Sequence, residues 1–284
     1  MPTVDAMVLL TIAGWLLLIG AVAGIATGLW RSARDARRAQ VVWDALLAER
    51  ETAPETYDPA MVADLPEIAR RYFATAIAPG TPLHRVVELE MAGALILNGR
   101  ELPMQADQVL APPHGFVWRA RAGSGWVRFS GSDGYRGGRT SWTRFWLWEI
   151  LPVARCADSE DHARAAAARL VMETVWVPAA LLPQHGALWT QTGPDRAEIR
   201  FPRVPGVEPI HLVLDASGRV LEMSTQRWSD VNRDRTYRLQ PFGGRMLAHA
   251  THQGFSIPVA MEVGHHYGTP EYAPFFRAHL TRVT

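Results

Sequence analysis

The sequence predicts a mostly β (α+β) fold: an N-terminal transmembrane helix, then a curved antiparallel sheet or half-open barrel carrying one inserted helix. Three observations predict it. Met7 to Trp30 contains no charged residue. Beyond Pro82 the apolar period changes from helical to alternating. One alanine-rich stretch, Ser159 to Trp176, interrupts an otherwise regular series of short runs separated by Gly, Pro, Asp and Asn.

About 20 apolar residues cross the hydrocarbon core of a bilayer, so the first run is long enough to span. A secretory signal opens with a basic segment and has a shorter apolar core, whereas the charged residue ahead of this run is Asp5. The segment is therefore expected to stay attached. Trp30 stands where an interfacial anchor would, and Arg31, Arg34, Arg37 and Arg38 follow it. The positive-inside bias then places the remainder on the cytoplasmic side of an inner membrane crossed once. Gly20 and Gly24 have a spacing that lets a partner helix approach closely. The expected boundaries are 1–30 for the transmembrane helix, 31–80 for a helical linker and 81–284 for the β domain, with its inserted helix near 159–176.

Within the linker, Val41, Val42, Leu46 and Leu47 form an apolar stripe that should pack on the domain. Pro54 and Pro59 break this helix. Asp64 is expected to cap a second one running to Ile77, which Pro79 and Gly80 end. About a dozen strands follow: Arg85 to Leu97, Pro103 to Leu110, Gly115 to Ala122 and Trp126 to Ser130 before the inserted helix, and the rest from Leu188 to Arg282, with Arg235–Leu239 and Arg245–Gln253 as separate strands.

The 284 residues carry 29 basic and 28 acidic side chains, a formal net charge of +1. No field favours nucleic acid as a partner. All the basic residues are arginine, in every segment, which is a compositional bias and not a local device. Cys156 is the single cysteine, so an intrachain disulfide is excluded. Phosphate-loop, dinucleotide and Gly-x-Ser-x-Gly patterns do not occur, and no cofactor is expected.

The order Arg70-Arg71-Tyr72-Phe73, Gly115-Phe116-Val117-Trp118, Asp133-Gly134-Tyr135 and Glu173-x-x-Trp176-x-Pro178-x-x-Leu181 resembles an uncharacterised bacterial domain-of-unknown-function family. The likeness continues through Trp189, Arg227, Pro241-Phe242-Gly243-Gly244 and Ile257-Pro258, with Phe242 in place of an expected Trp and an atypical aromatic segment after Arg139. It implies a membrane-anchored β domain similar to the open, curved sheets of lipoprotein-carrier proteins. Fold alone does not supply a function.

Glu173 falls among Leu170, Val171, Val175 and Trp176, and Arg227 shares an inward strand face with Leu221, Met223 and Thr225. Lone buried charges are costly, so these two are expected to pair, either as a latch or at the floor of a ligand site that also uses Trp176, Trp118 and Tyr135. His249, His252, His265 and His266 flank a hairpin; pairing about Ser256 would leave two per face, too few for zinc. No metal is expected. The Trp142, Trp146 and Trp148 patch reads as core packing, as the mouth of an apolar cavity or, together with Trp30, as membrane contact; Asp133-Gly134 reads as turn chemistry. The leading functional expectation is a membrane-tethered module that binds an apolar or lipid-like ligand in its concave sheet. The alternatives are a structural partner of another membrane protein, and a hydrolase working in the same cavity.

Overall fold

The computed structural model describes residues 4–138 and 140–284; the first three residues of the leading segment, the side chains of residues 4–6, and Arg139 lie outside the described residues. Helix α1 (Val4–Leu47) is unbroken, but its surroundings change half-way. Its apolar part is long enough to cross a membrane and is exposed except at Gly28. From Arg31 onward one face packs. Ala39, Trp43 and Leu46, spaced four and three apart, are buried against Val86, Val109, Ala111, Val117 and Trp142. Val41 is exposed instead of packed, because two residues turn a helix by about 200° and place it opposite Ala39.

Helix α2 (Glu67–Ala76) buries Ile68, Ala69, Tyr72 and Phe73. Asp64 does not cap it. Pro66 occupies the cap position without a side-chain bond, and its fixed φ starts the helix there. Asp58 caps the preceding 3-10 turn Pro59–Val62, accepting from the Ala60 N–H at 2.8 Å.

The strands are β1 (Val87–Leu97), β2 (Arg100–Ala111), β3 (Gly115–Ser124), β4 (Val127–Arg136), β5 (Thr140–Leu147) and β6 (Leu151–Ala157). Helix α3 (Glu160–Met172) and three 3-10 turns ending at His185 lead into β7 (Leu188–Gln191), β8 (Arg196–Arg200), β9 (Ile210–Leu214), β10 (Val220–Ser229), β11 (Arg238–His252), β12 (Phe255–His265) and β13 (Ala273–Val283). Each strand pairs antiparallel with its chain neighbours within β1–β6 and within β7–β13, and β1 joins β13. The result is one 13-stranded sheet with β6 and β7 as open edges. Strands β5 and β6 were not expected, and β11 is one strand rather than two.

Because side chains alternate across a strand, Gln108, Leu110, Phe116 and Trp118 line the concave face while Val109, Ala111 and Val117 meet α1 on the convex one. The helix runs the length of that convex face. A side chain at Gly28 would collide with the Ile150 backbone in the β5–β6 connection, and at the other end Glu49 reaches His114 and Arg136 at 3.7 and 3.5 Å. The β3–β4 and β5–β6 tips therefore lie where the apolar half of α1 departs, and the register puts the β1–β2, β10–β11 and β12–β13 connections on the same rim. This is the exit rim; the β2–β3 and β11–β12 turns form the far end.

One buried carboxylate holds α1 in place. Asp35 accepts from Arg155 at 2.7 Å and from the Trp146 indole at 3.2 Å, with Arg144 at 3.7 Å. Replacing Asp35 with Ala would leave two guanidinium groups close together without their counter-ion. We expect a loss of roughly 3 kcal/mol in thermal unfolding of the detergent-solubilised chain, with new protease cuts between residues 35 and 50. An unchanged melting temperature contradicts this assignment.

Candidate functional site

The alanines of α3 have short side chains that let the helix sit deep in the concave face. Ser159 caps it by accepting the His162 N–H at 3.1 Å, and Glu160 and Asp161 complement the dipole of its first turn. The helix bridges the two halves of the sheet. On the β10 side the Trp228 indole donates to Asp161 at 2.7 Å, and Arg227 Nε donates to the Ala165 carbonyl at 3.3 Å. On the β5 side the His162 ring lies 2.8 Å from the Ser141 hydroxyl and 3.0 Å from that of Thr143.

Arg169 is the hub of this seam. Its guanidinium donates to Glu173 at 2.6 Å, to Asp133 at 2.5 Å and to Gln108 at 3.5 Å. Gln108 closes the ring by donating to Glu173 at 2.5 Å. The same guanidinium lies 4.5 Å over Phe116 and 5.3 Å from the Trp118 ring, a cation–π arrangement that strengthens away from water. Burial opposes the charge on Arg169, but the carboxylates of Glu173 and Asp133 outweigh it and raise the pKa. Arg227 fares differently. Burial, then the like charge of Arg169, bring its pKa down to about 10, and its guanidinium rests 4.7 Å over Phe242.

Glu173 and Trp118 both meet Arg169, whereas Arg227 bonds to the Ala165 carbonyl; the expected Glu173–Arg227 pair does not form, and Glu173 takes Arg169 as its partner. The pair is four residues apart on one helix face, and Asp133 completes it from β4. Asp133-Gly134 lies in mid-strand and not in a turn; Gly134 is needed because the Trp142 ring covers its Cα. Tyr135 is buried on the same inward face of β4 as Asp133. Trp176 lies away from the seam, donating to the Pro258 carbonyl at 3.1 Å and lining a cavity of about 170 Å³ at the far end with Val177, Pro178, Phe255 and Ile257. Trp142 and Trp146 are 4% and 2% exposed under α1, so they fasten that helix and do not face lipid. Trp30 and Trp148 are exposed. The β11–β12 hairpin turns at Gln253–Gly254 and not about Ser256, setting His249 opposite Pro258 and His265 opposite Phe242.

An aromatic tract that sequence reasoning did not assemble crosses the concave face toward the exit rim. Phe129 and Trp118 each lie 6.0 Å from Phe145; Trp118 lies 6.3 Å from Phe276. Phe276 continues to Phe275 at 6.5 Å, His265 at 5.0 Å from Phe275, and Phe242 at 5.3 Å from His265. Phe129, His265, Phe275 and Phe276 are half-buried, and the Trp118 indole N–H is buried with no partner among the described residues. Alternation alone would send the consecutive Phe275 and Phe276 to opposite faces; the register shift opposite Val263–Gly264 lets both pack against the core, and the sequence carries no sign of it. Catalysis gains little from this geometry. Ser141, His162, Thr143 and Asp133 form a hydrogen-bonded chain, but Ser141 is fully buried and cannot meet a substrate.

Residues 55–278 match the model of the Family of unknown function (DUF6544). The chain belongs to that family. The DUF6544 region takes in α2, α3 and the sheet almost to its last strand end. No curated protein matches the chain. Among solved structures it is similar to a LolA superfamily protein from Nitrosomonas europaea, with 9% identity and a TM-score of 0.42 over 76% of this chain and 91% of that one. It is also similar to a domain from Vibrio parahaemolyticus described as outer membrane lipoprotein-sorting, with 8% identity and a TM-score of 0.38 over 70% of this chain and 84% of that one.

The aromatic tract carries its own pH signature. Burial, then the Arg227 charge, push the His265 pKa down to about 4 from an ordinary 6.5. The unfolded chain therefore takes up more protons between those values, so stability is full above pH 6.5 and is lost as the pH falls toward 4. His185, also brought to about 4, contributes with the same sign. His265→Phe should make the acid limb of a plot of melting temperature against pH shallower; an identical limb contradicts a buried neutral imidazole.

Proposed function

We propose that this protein is a single-pass membrane protein whose open sheet binds an apolar, lipid-like chain along the aromatic tract. The observation that carries the reading is the tract itself: rings on the concave face, Phe129, His265, Phe275 and Phe276 only half-buried, running toward the rim from which the uncharged half of α1 departs. Apolar walls with a few convergent polar groups are what such ligands need. Arg227, with one hydrogen bond and a guanidinium over Phe242, offers charge for a polar head. Under this reading residues 1–30 span the bilayer, 31–80 link, and 81–284 form the β domain. Arg31, Arg34, Arg37 and Arg38 are exposed, which supports a cytoplasmic domain by the positive-inside bias.

A second reading, a structural partner of another membrane protein, draws on how fully α2, α3 and the 3-10 turns fill the sheet. The far-end cavity of about 170 Å³ falls short of the roughly 300 Å³ or more that ligand pockets provide. The ligand of the first reading therefore lies in the open tract and not in that cavity.

Native mass spectrometry of the full chain in gentle detergent separates the two readings. The binding reading expects a lipid-mass adduct. It also expects Phe129→Ser with Phe275→Ser to lower occupancy roughly tenfold, since two lost rings cost at least about 1.4 kcal/mol. Lipid held only around the apolar helix would survive that substitution, and such a result, or no adduct, favours the structural partner.

A further inference from the structure

The β tips on the exit rim carry apolar side chains that the tract does not use. Trp126, in the β3–β4 turn, is 86% exposed, and Trp148, at the β5–β6 tip, is 46% exposed. They are joined: the Trp148 indole donates to the Trp126 carbonyl at 2.9 Å, and the Trp148 N–H donates to the Arg128 carbonyl at 3.2 Å. Val127, Leu151 and Val153 extend the exposed apolar surface beside them. Large aromatic side chains held out to solvent on two neighbouring hairpins are costly without a partner surface.

The partner is set by height along α1. The uncharged run from Met7 to Trp30 rises about 36 Å at 1.5 Å per residue, against a hydrocarbon core of about 30 Å. The last few residues of that run therefore reach the interface. Gly28 is among them, and the Ile150 backbone lies directly against it. The tips are thus fixed at the level where the helix leaves the hydrocarbon. Just beyond, Arg31 and Arg34 are exposed, with Arg34 5.4 Å from the Trp30 ring, an arrangement suited to the headgroup layer.

We propose that the exit rim docks on the same bilayer that α1 crosses, with the Trp126–Trp148 pair seated at the boundary between headgroups and acyl chains. The aromatic tract then opens toward lipid and not toward bulk water. The proposal rests on α1 spanning the membrane, but not on any ligand occupying the tract. Tryptophan is the residue of choice at this depth because its ring is apolar and its N–H is polar. Here one of the two N–H groups already bonds within the protein, so the pair enters the interface as a rigid unit.

The test uses the full chain in vesicles of phosphatidylethanolamine and phosphatidylglycerol, with Cys156→Ser as background. An environment-sensitive fluorophore is attached to one new cysteine at a time: Trp126→Cys at the rim, Leu16→Cys within α1, and Thr251→Cys at the far end, where the residue is exposed. Nitroxide-labelled acyl chains serve as the quencher. The proposal expects a blue shift and loss of most emission at 126 and at 16, with 251 remaining water-like and unquenched. A quenched probe at 16 beside a water-like probe at 126 overturns the docking and leaves the span intact. A water-like probe at 16 overturns the span itself. A blue-shifted but unquenched probe at 126 overturns the docking in favour of a protein partner on this rim.

Discussion

The structure depends on one buried cation. A 13-stranded sheet that does not close must cover its concave apolar face with something other than itself, because an open sheet cannot bury its inner surface by pairing alone. Helix α3 provides the cover, and Arg169 decides where it sits. The guanidinium satisfies Glu173 on its own helix, Asp133 on β4 and Gln108 on β2, and lies over Phe116 on β3. Withdrawing the helix would leave Asp133 with the Thr143 hydroxyl but without its counter-ion. The seam therefore fixes the helix by the cost of leaving it, and not by a large net gain from the ion pairs.

On the opposite face the same logic recurs with the charges reversed. There a single carboxylate, Asp35, is held by Arg155, Arg144 and the Trp146 indole. The two clusters sandwich β2 to β5 between helices. That sandwich is why Val109, Leu110 and Ala111, and again Phe116, Val117 and Trp118, are buried as consecutive residues. It also ties the far half of α1 rigidly to the domain, so the level of the exit rim follows from the position of the apolar half.

How much of this the sequence disclosed depends on how many faces of an element are buried. Strands with one covered face, such as β1, β10 and β12, show alternation and were legible. Strand β5 is buried on both faces, with Trp142 and Trp146 under α1 and Phe145 in the trough. Its pattern therefore has no period, and it read as an aromatic patch. Pro241 and Gly243-Gly244 in β11 look like breaks, but the two glycines sit where neighbouring backbones approach closely. In the site, Glu173, Arg227 and Trp118 stood out as residues at odds with or prominent in apolar frames. Their pairing did not, because the rule that buried charges find partners does not say which partner. The i,i+4 neighbour Arg169 was at hand, and Asp133 was hidden by the turn signature of the glycine after it.

The most direct test of the account is a double-mutant cycle on Arg169 and Asp133, measured by reversible unfolding of the detergent-solubilised chain as Arg169→Met, Asp133→Asn and the double variant. If this pair pins the helix in the sheet, each single change is strongly destabilising and the coupling is on the order of 2 kcal/mol or more. Additivity within about 0.5 kcal/mol, or a larger loss from Arg227→Met than from Arg169→Met, would contradict it.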